Sequence, residues 1–168
     1  MSQDSPDGTA TDDQHNQDSR ILILYATETG NALDVAEQIA QEALNRSYEV
    51  HLASTDEYPL VSVSSALISF NLNVSQEDLV HETTAVFVVS TTGSGQEPRS
   101  MTHLWTMLLR SDLPSDLFEG LDFAVFGLGD SAYEKFCWAE KLLSRRMESL
   151  GGRIICPRGE ADDQDPQG

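Results

Sequence analysis

ILILYATETGNA, residues 21–32, joins a short apolar run to a small polar turn and then to the first residues of an amphipathic helix. Residues 21–25 have the unbroken apolar character of a central parallel strand covered on both faces. Thr27, Glu28, Thr29, Gly30 and Asn31 follow, and Val35, Ala36, Ile39, Ala40 and Ala43 then recur at helical spacing. The first N–H groups of a helix have no intrahelical partner and its dipole favours negative charge there, so this turn reads as an anion cradle.

Working outward, the pattern repeats. The first helix is expected over 33–46, and a short strand over 49–53. Residues 85–90, AVFVVS, are β-branched and aromatic and give the clearest strand. They run into Thr91-Thr92-Gly93-Ser94-Gly95-Gln96-Glu97-Pro98, after which apolar residues recur at helical spacing over 100–110. A fourth strand, 122–127, leads to Leu128-Gly129-Asp130-Ser131. A helix is expected from about 133 to 150, stopped by Gly151-Gly152. A short fifth strand over 153–156 and an acidic loop over 159–164 complete the order. Strand–helix alternation predicts a parallel α/β sheet with helices on its faces. Ligands of such sheets sit outside the carboxyl ends of the strands, where three polar, glycine-bearing loops converge here.

Composition narrows the function. The 168 residues suit one domain, and 39% are hydrophobic. Residues 1–19 are almost devoid of apolar side chains and read as a disordered acidic tail, with no apolar core of a leader peptide. No stretch is long and apolar enough to span a bilayer. Net charge is −18, which argues against nucleic acid and favours a basic protein partner or companion domain. The two cysteines, Cys137 and Cys156, read as reduced thiols of a cytoplasmic protein. His15, His51, His81 and His103 have no metal-ligand spacing, so no metal site is expected. Neither G-x-G-x-x-G nor G-x-x-x-x-G-K-[ST] is present, and the first loop would hold a phosphate through neutral donors.

TETGNA, STTGSGQEP and FGLGDSAYEKF together resemble the three FMN-binding loops of the flavodoxin-like domain in diflavin reductases. The likeness covers about 20–164 apart from 61–76. STTG and KF-x-WA are most similar to the NADPH-dependent diflavin reductases that feed electrons to cytosolic iron–sulfur assembly. The resemblance implies a doubly wound five-stranded sheet, order 2-1-3-4-5, over residues 20–168. It implies that Thr27, Glu28, Thr29, Gly30, Asn31 and Ala32 hold the FMN phosphate, with Thr91, Thr92, Gly93, Ser94 and Gly95 along one side of the flavin. Leu128, Gly129, Asp130, Tyr133 and Phe136 lie along the other, with Tyr133 stacking on the ring. Asp162, and Asp163 beside it, place negative charge that disfavours the anionic reduced flavin. The implied partners are an FAD and NADPH module and an iron–sulfur acceptor.

Three features depart from the family pattern. Residues 61–76 carry no charged side chain and read as an extra strand or a surface insertion. The final helix expected to cover the sheet is missing. Cys137 stands where relatives carry Asn, which leaves one hydrogen bond to the loop unmade. Glu28, Cys137 and the insertion support a competing expectation: a flavodoxin-shaped interaction domain, or a truncated fragment, that does not bind FMN.

Overall fold

The computed structural model describes residues 20–59 and 78–165. The chain folds as β1 (Arg20–Ala26), α1 (Asn31–Asn45), β2 (Glu49–Ser54), β3 (Thr84–Ser90), α2 (Thr102–Leu108), β4 (Asp122–Gly129), α3 (Trp138–Ser149), β5 (Arg153–Ile154) and β6 (Gly159–Asp162). Single 3₁₀ turns occupy Leu79–His81 and Arg99–Met101. All strand pairings are parallel, in the order β2-β1-β3-β4-β5, with β6 also on β4. The expected α/β architecture and strand order are therefore present.

Alternation along the strands sorts the core into two layers. Leu22, Leu24, Phe87, Val89, Phe123 and Val125 pack on one face with Leu104 and Leu108 of α2 and Leu143 and Met147 of α3. On the other face Ile23 and Val88 pack with Ala32, Ala36 and Ala40 of α1, whose small side chains let the helix lie close to the sheet. Among the described residues α1 is the only helix in this second layer, and Val86, Ala124, Phe126 and Leu128 are left half-buried.

Two expectations are corrected. The helix expected from 133 starts at Trp138, and 131–137 form turns. Cys137 takes the left-handed conformation, φ 50°, which a helix interior cannot accommodate, so the chain is redirected there before α3 begins. The acidic loop expected at 159–164 begins as a strand: β6 pairs Phe126 with Gly159 and Gly129 with Asp162. β5 pairs only with the start of β4, and the edge carries two extra residues between the Phe123–Ile154 and Phe126–Gly159 pairings. Pro157 lies in that break, where its missing N–H costs no ladder bond. The tail 1–19 and the extra strand or insertion expected at 61–76 lie outside the described residues.

Candidate functional site

The loops after β1, β3 and β4 and the residues from β6 onward enclose a cleft of about 640 Å³ at the carboxyl ends of the strands. Glu28, Thr29, Asn31, Thr91, Thr92, Gly93, Leu128, Gly129, Asp130, Asp162 and Asp163 line it, eleven of the residues expected from sequence. Ser90, Ala161 and Asp165 complete the lining. Ser90 ends β3 and could have been found from that position, while Ala161 and Asp165 carry no local signal and enter only because β6 docks on β4.

The first loop is shaped by its own donors. Thr27 Oγ1 accepts the Gly30 N–H at 2.9 Å, and Gly30 takes φ 108° so that α1 can start at once. Leu33 N–H already donates to the Gly30 carbonyl at 2.8 Å. The N–H groups of Asn31 and Ala32, the first two of α1, have no intrahelical acceptor and form the positive end of the helix dipole. Ala32 itself is buried and faces the sheet. Glu28 does not bring an uncompensated charge into the cradle: its carboxylate accepts the Arg99 N–H at 3.1 Å and lies 3.3 Å from Arg99 Nε.

The second loop is a small closed turn. Thr92 N–H donates to the Gln96 carbonyl, Gln96 N–H returns the bond, both at 2.9 Å, and Gly93 and Gly95 supply the left-handed backbone. Gly95 lies under Lys135, whose Cβ would sit 2.4 Å from any Cβ added there, so the second and third loops are in contact. Thr91 N–H donates to the Leu128 carbonyl at 2.8 Å, tying the floor together. The buried Thr91 hydroxyl oxygen has no hydrogen-bond partner among the described residues. An orphaned hydroxyl in a cleft wall fits a polar ligand, because burial without a partner costs about 1–3 kcal/mol.

The third loop is braced by carboxylates. Asp162 accepts the N–H groups of Ser131, 2.9 Å, and Gln164, 3.1 Å, and the Ser131 bond holds its carboxyl below the usual carboxylate range. Asp130 accepts from Ala132 N–H at 2.8 Å and Gln164 Nε2 at 2.9 Å. Tyr133 is 59% exposed and lines a separate hollow of about 110 Å³ with Thr91, Gly93, Asp130 and Lys135. Phe136 lies beneath Lys141, whose Nζ is 5.2 Å from the ring centroid and donates to the Phe136 carbonyl at 2.9 Å. Thr27, Gly30, Ala32, Ser94, Gly95, Tyr133 and Phe136 are not among the residues that line the cleft. Cys137 is buried, its Sγ lies 4.0 Å from the Ala161 carbonyl, and burial pushes its thiol up to about 12, which suits packing and not thiolate chemistry. No group of His, Cys, Asp and Glu suited to a metal ion occurs among the described residues.

The family model described as Flavodoxin matches residues 23–168. The chain belongs to the flavodoxin family. Flavodoxin 2 of Bacillus cereus superposes with a TM-score of 0.61 at 25% identity, covering 88% of each chain. Flavodoxin 1 of the same organism, at 21% identity and a TM-score of 0.65, covers 86% of this chain and 84% of its own, and shares the fold. Among curated relatives, NADPH-dependent diflavin oxidoreductase 1 of Arabidopsis thaliana is 40% identical over 149 residues, 89% of this chain and 22% of the relative. The relative of that name from Bos taurus is 37% identical over 146 residues, 87% of this chain and 22% of its own length. This flavodoxin domain therefore spans about a fifth of the length of the curated relatives it matches.

Proposed function

We propose that this flavodoxin domain holds FMN in the cleft and works as the electron-carrying part of an NADPH-dependent diflavin oxidoreductase. The observation that carries the reading is the convergence of a helix N-terminus, an orphaned hydroxyl and two glycine-bearing loops on one cleft. The phosphate would lie against Thr27–Ala32 and the flavin between the Thr91–Gly95 loop and Leu128, Gly129, Asp130 and Tyr133. Bound FMN would supply one- and two-electron chemistry, and the protein would supply orientation and exclusion of water. Electrons would enter from an FAD and NADPH module and leave to an iron–sulfur protein in the cytoplasm. A chain with net charge −18 would meet cationic partners with electrostatic steering. No helix among the described residues is long and apolar enough to cross a membrane.

Purified protein is expected to carry flavin absorbance that survives gel filtration. A colourless protein that FMN cannot reconstitute rejects the reading in favour of an interaction domain without flavin. Glu28 gives that alternative little support, because Arg99 compensates its charge. Thr29→Ala is expected to weaken FMN binding about tenfold, the loss of one charge-assisted hydrogen bond, with an unaltered circular-dichroism spectrum. Equal affinity of the two proteins would mean that the phosphate is held elsewhere.

Residues 61–76 are, in the same proposal, a dispensable insertion. The Pro59 carbonyl accepts the Leu79 N–H at 3.0 Å, so the chain is already closed across the segment. Deleting 61–76 makes these residues i and i+4, the spacing of a five-residue α-turn. The deleted protein is expected to keep its thermal midpoint and its FMN affinity; failure to fold would mark the segment as part of the core.

A further inference from the structure

We infer that Ser100 is a positioning residue for the phosphate cradle, clasping it from the far side of the first loop; the inference rests on the FMN reading above. The Ser100 hydroxyl accepts the Thr27 N–H and donates to the Thr27 carbonyl, both at 3.1 Å. One side chain thus completes both backbone groups of the residue that follows β1, as a neighbouring strand would. Ser100 is held in turn by Thr55, whose Oγ1 donates to the Ser100 carbonyl at 2.9 Å. Thr55 is 1% exposed, and its N–H donates to the Tyr25 carbonyl at 3.0 Å. Beside this link, the Arg99 N–H donates to Glu28.

The geometry couples the two ends of the cleft. Thr27 Oγ1 fixes Gly30, and Gly30 starts the helix whose first N–H groups would hold the phosphate. Arg99 and Ser100 follow directly on the second loop, through the buried Pro98. Ser100 therefore sets where the phosphate donors stand relative to the Thr91–Gly95 loop. Without it, the Thr27 backbone loses two partners and the cradle is held by its chain ends and Glu28. Neither Ser100 nor Thr55 lines the cleft, so each acts through Thr27 and not on the ligand.

The test compares FMN with riboflavin, which lacks the phosphate, by fluorescence titration of the whole chain. Ser100→Ala is expected to weaken FMN about tenfold and riboflavin by no more than about twofold. Ser100→Thr, which keeps the hydroxyl, is expected to restore FMN affinity. Thr55→Val, isosteric and remote from the cleft, is expected to shift FMN affinity in the same direction by a smaller factor, and it serves as the readout if Ser100→Ala does not fold. Equal losses for the two ligands, or no loss in either variant, overturn the positioning role. A wild-type protein that binds neither ligand overturns the cofactor assignment itself, a different result from wild-type binding that the variants leave unchanged.

Discussion

Gly129→Ala is expected to reduce FMN affinity about a hundredfold, equivalent to roughly 2.7 kcal/mol, and to lower stability by about 1–3 kcal/mol. A Cβ at this position would stand 2.8 Å from the Cys137 backbone nitrogen and 3.0 Å from both Cys137 Sγ and Phe136 Cδ2. Backbone cannot swing aside as the end of a side chain can. The turn 130–137 would have to move as a unit, carrying Asp130 and Tyr133 with it and stretching the Asp163 N–H to Gly129 carbonyl bond, now 2.9 Å. Gly120→Ala is the control, since nothing lies within 4 Å of its added Cβ. Fluorescence titration with FMN and urea melts of both variants measure the two effects. Wild-type affinity in Gly129→Ala would show that the third loop does not contact the flavin.

The second large effect concerns pH. Glu140 of α3 is fully buried beside Gly127 and Cys137, and neither carboxylate oxygen has a hydrogen bond among the described residues. Arg158 Nε is 3.6 Å away, while Glu160 repels and is itself paired with Lys141 at 3.1 Å. Burial outweighs the pull of Arg158 and the weaker pull of Lys141, and the Glu140 carboxyl is pushed up from 4.5 to about 7. Between those values the native state keeps a proton that the unfolded chain has released. Stability is therefore expected to fall by about 3 kcal/mol as pH rises from 4.5 to above 7. Above pH 9 the buried Cys137 adds a loss of the same sign, because the unfolded thiol ionises first. Glu140→Gln keeps the shape and removes the charge. Its urea midpoint is expected to be nearly flat between pH 5.5 and 8.5 and above the wild-type midpoint at the upper end. Parallel pH slopes in the two proteins would show that Glu140 is already paired in solution.

Much of this was legible in the residues. Apolar runs at 21–25, 85–90 and 122–127 are strands because both of their faces need cover, and a hydroxyl- and glycine-rich turn after each can lie only where the sheet ends. The family likeness rests on those same loops, and eleven of its expected residues line the cleft. Less legible was any feature fixed by a contact remote in sequence. The stretch 133–137 has helical composition, yet it turns because Gly129 and Cys137 approach each other closely. Gly159–Asp162 reads as polar loop because an edge strand with half-buried faces needs no apolar alternation.

The sequence by itself determined the parallel α/β order and the strand–turn–helix character of 21–32, because strand burial and helix starts are properties of neighbouring residues. Tertiary structure alone decided how that turn is held. Ser100 meets Thr27 across 73 residues of chain, and Arg99 meets Glu28 across 71. It also decided that Glu140, an ordinary polar residue in its helix, is shut in beside Gly127 of β4. No local pattern encodes such pairings, since a hydrogen bond or a desolvated charge depends on which surfaces the folded sheet brings together.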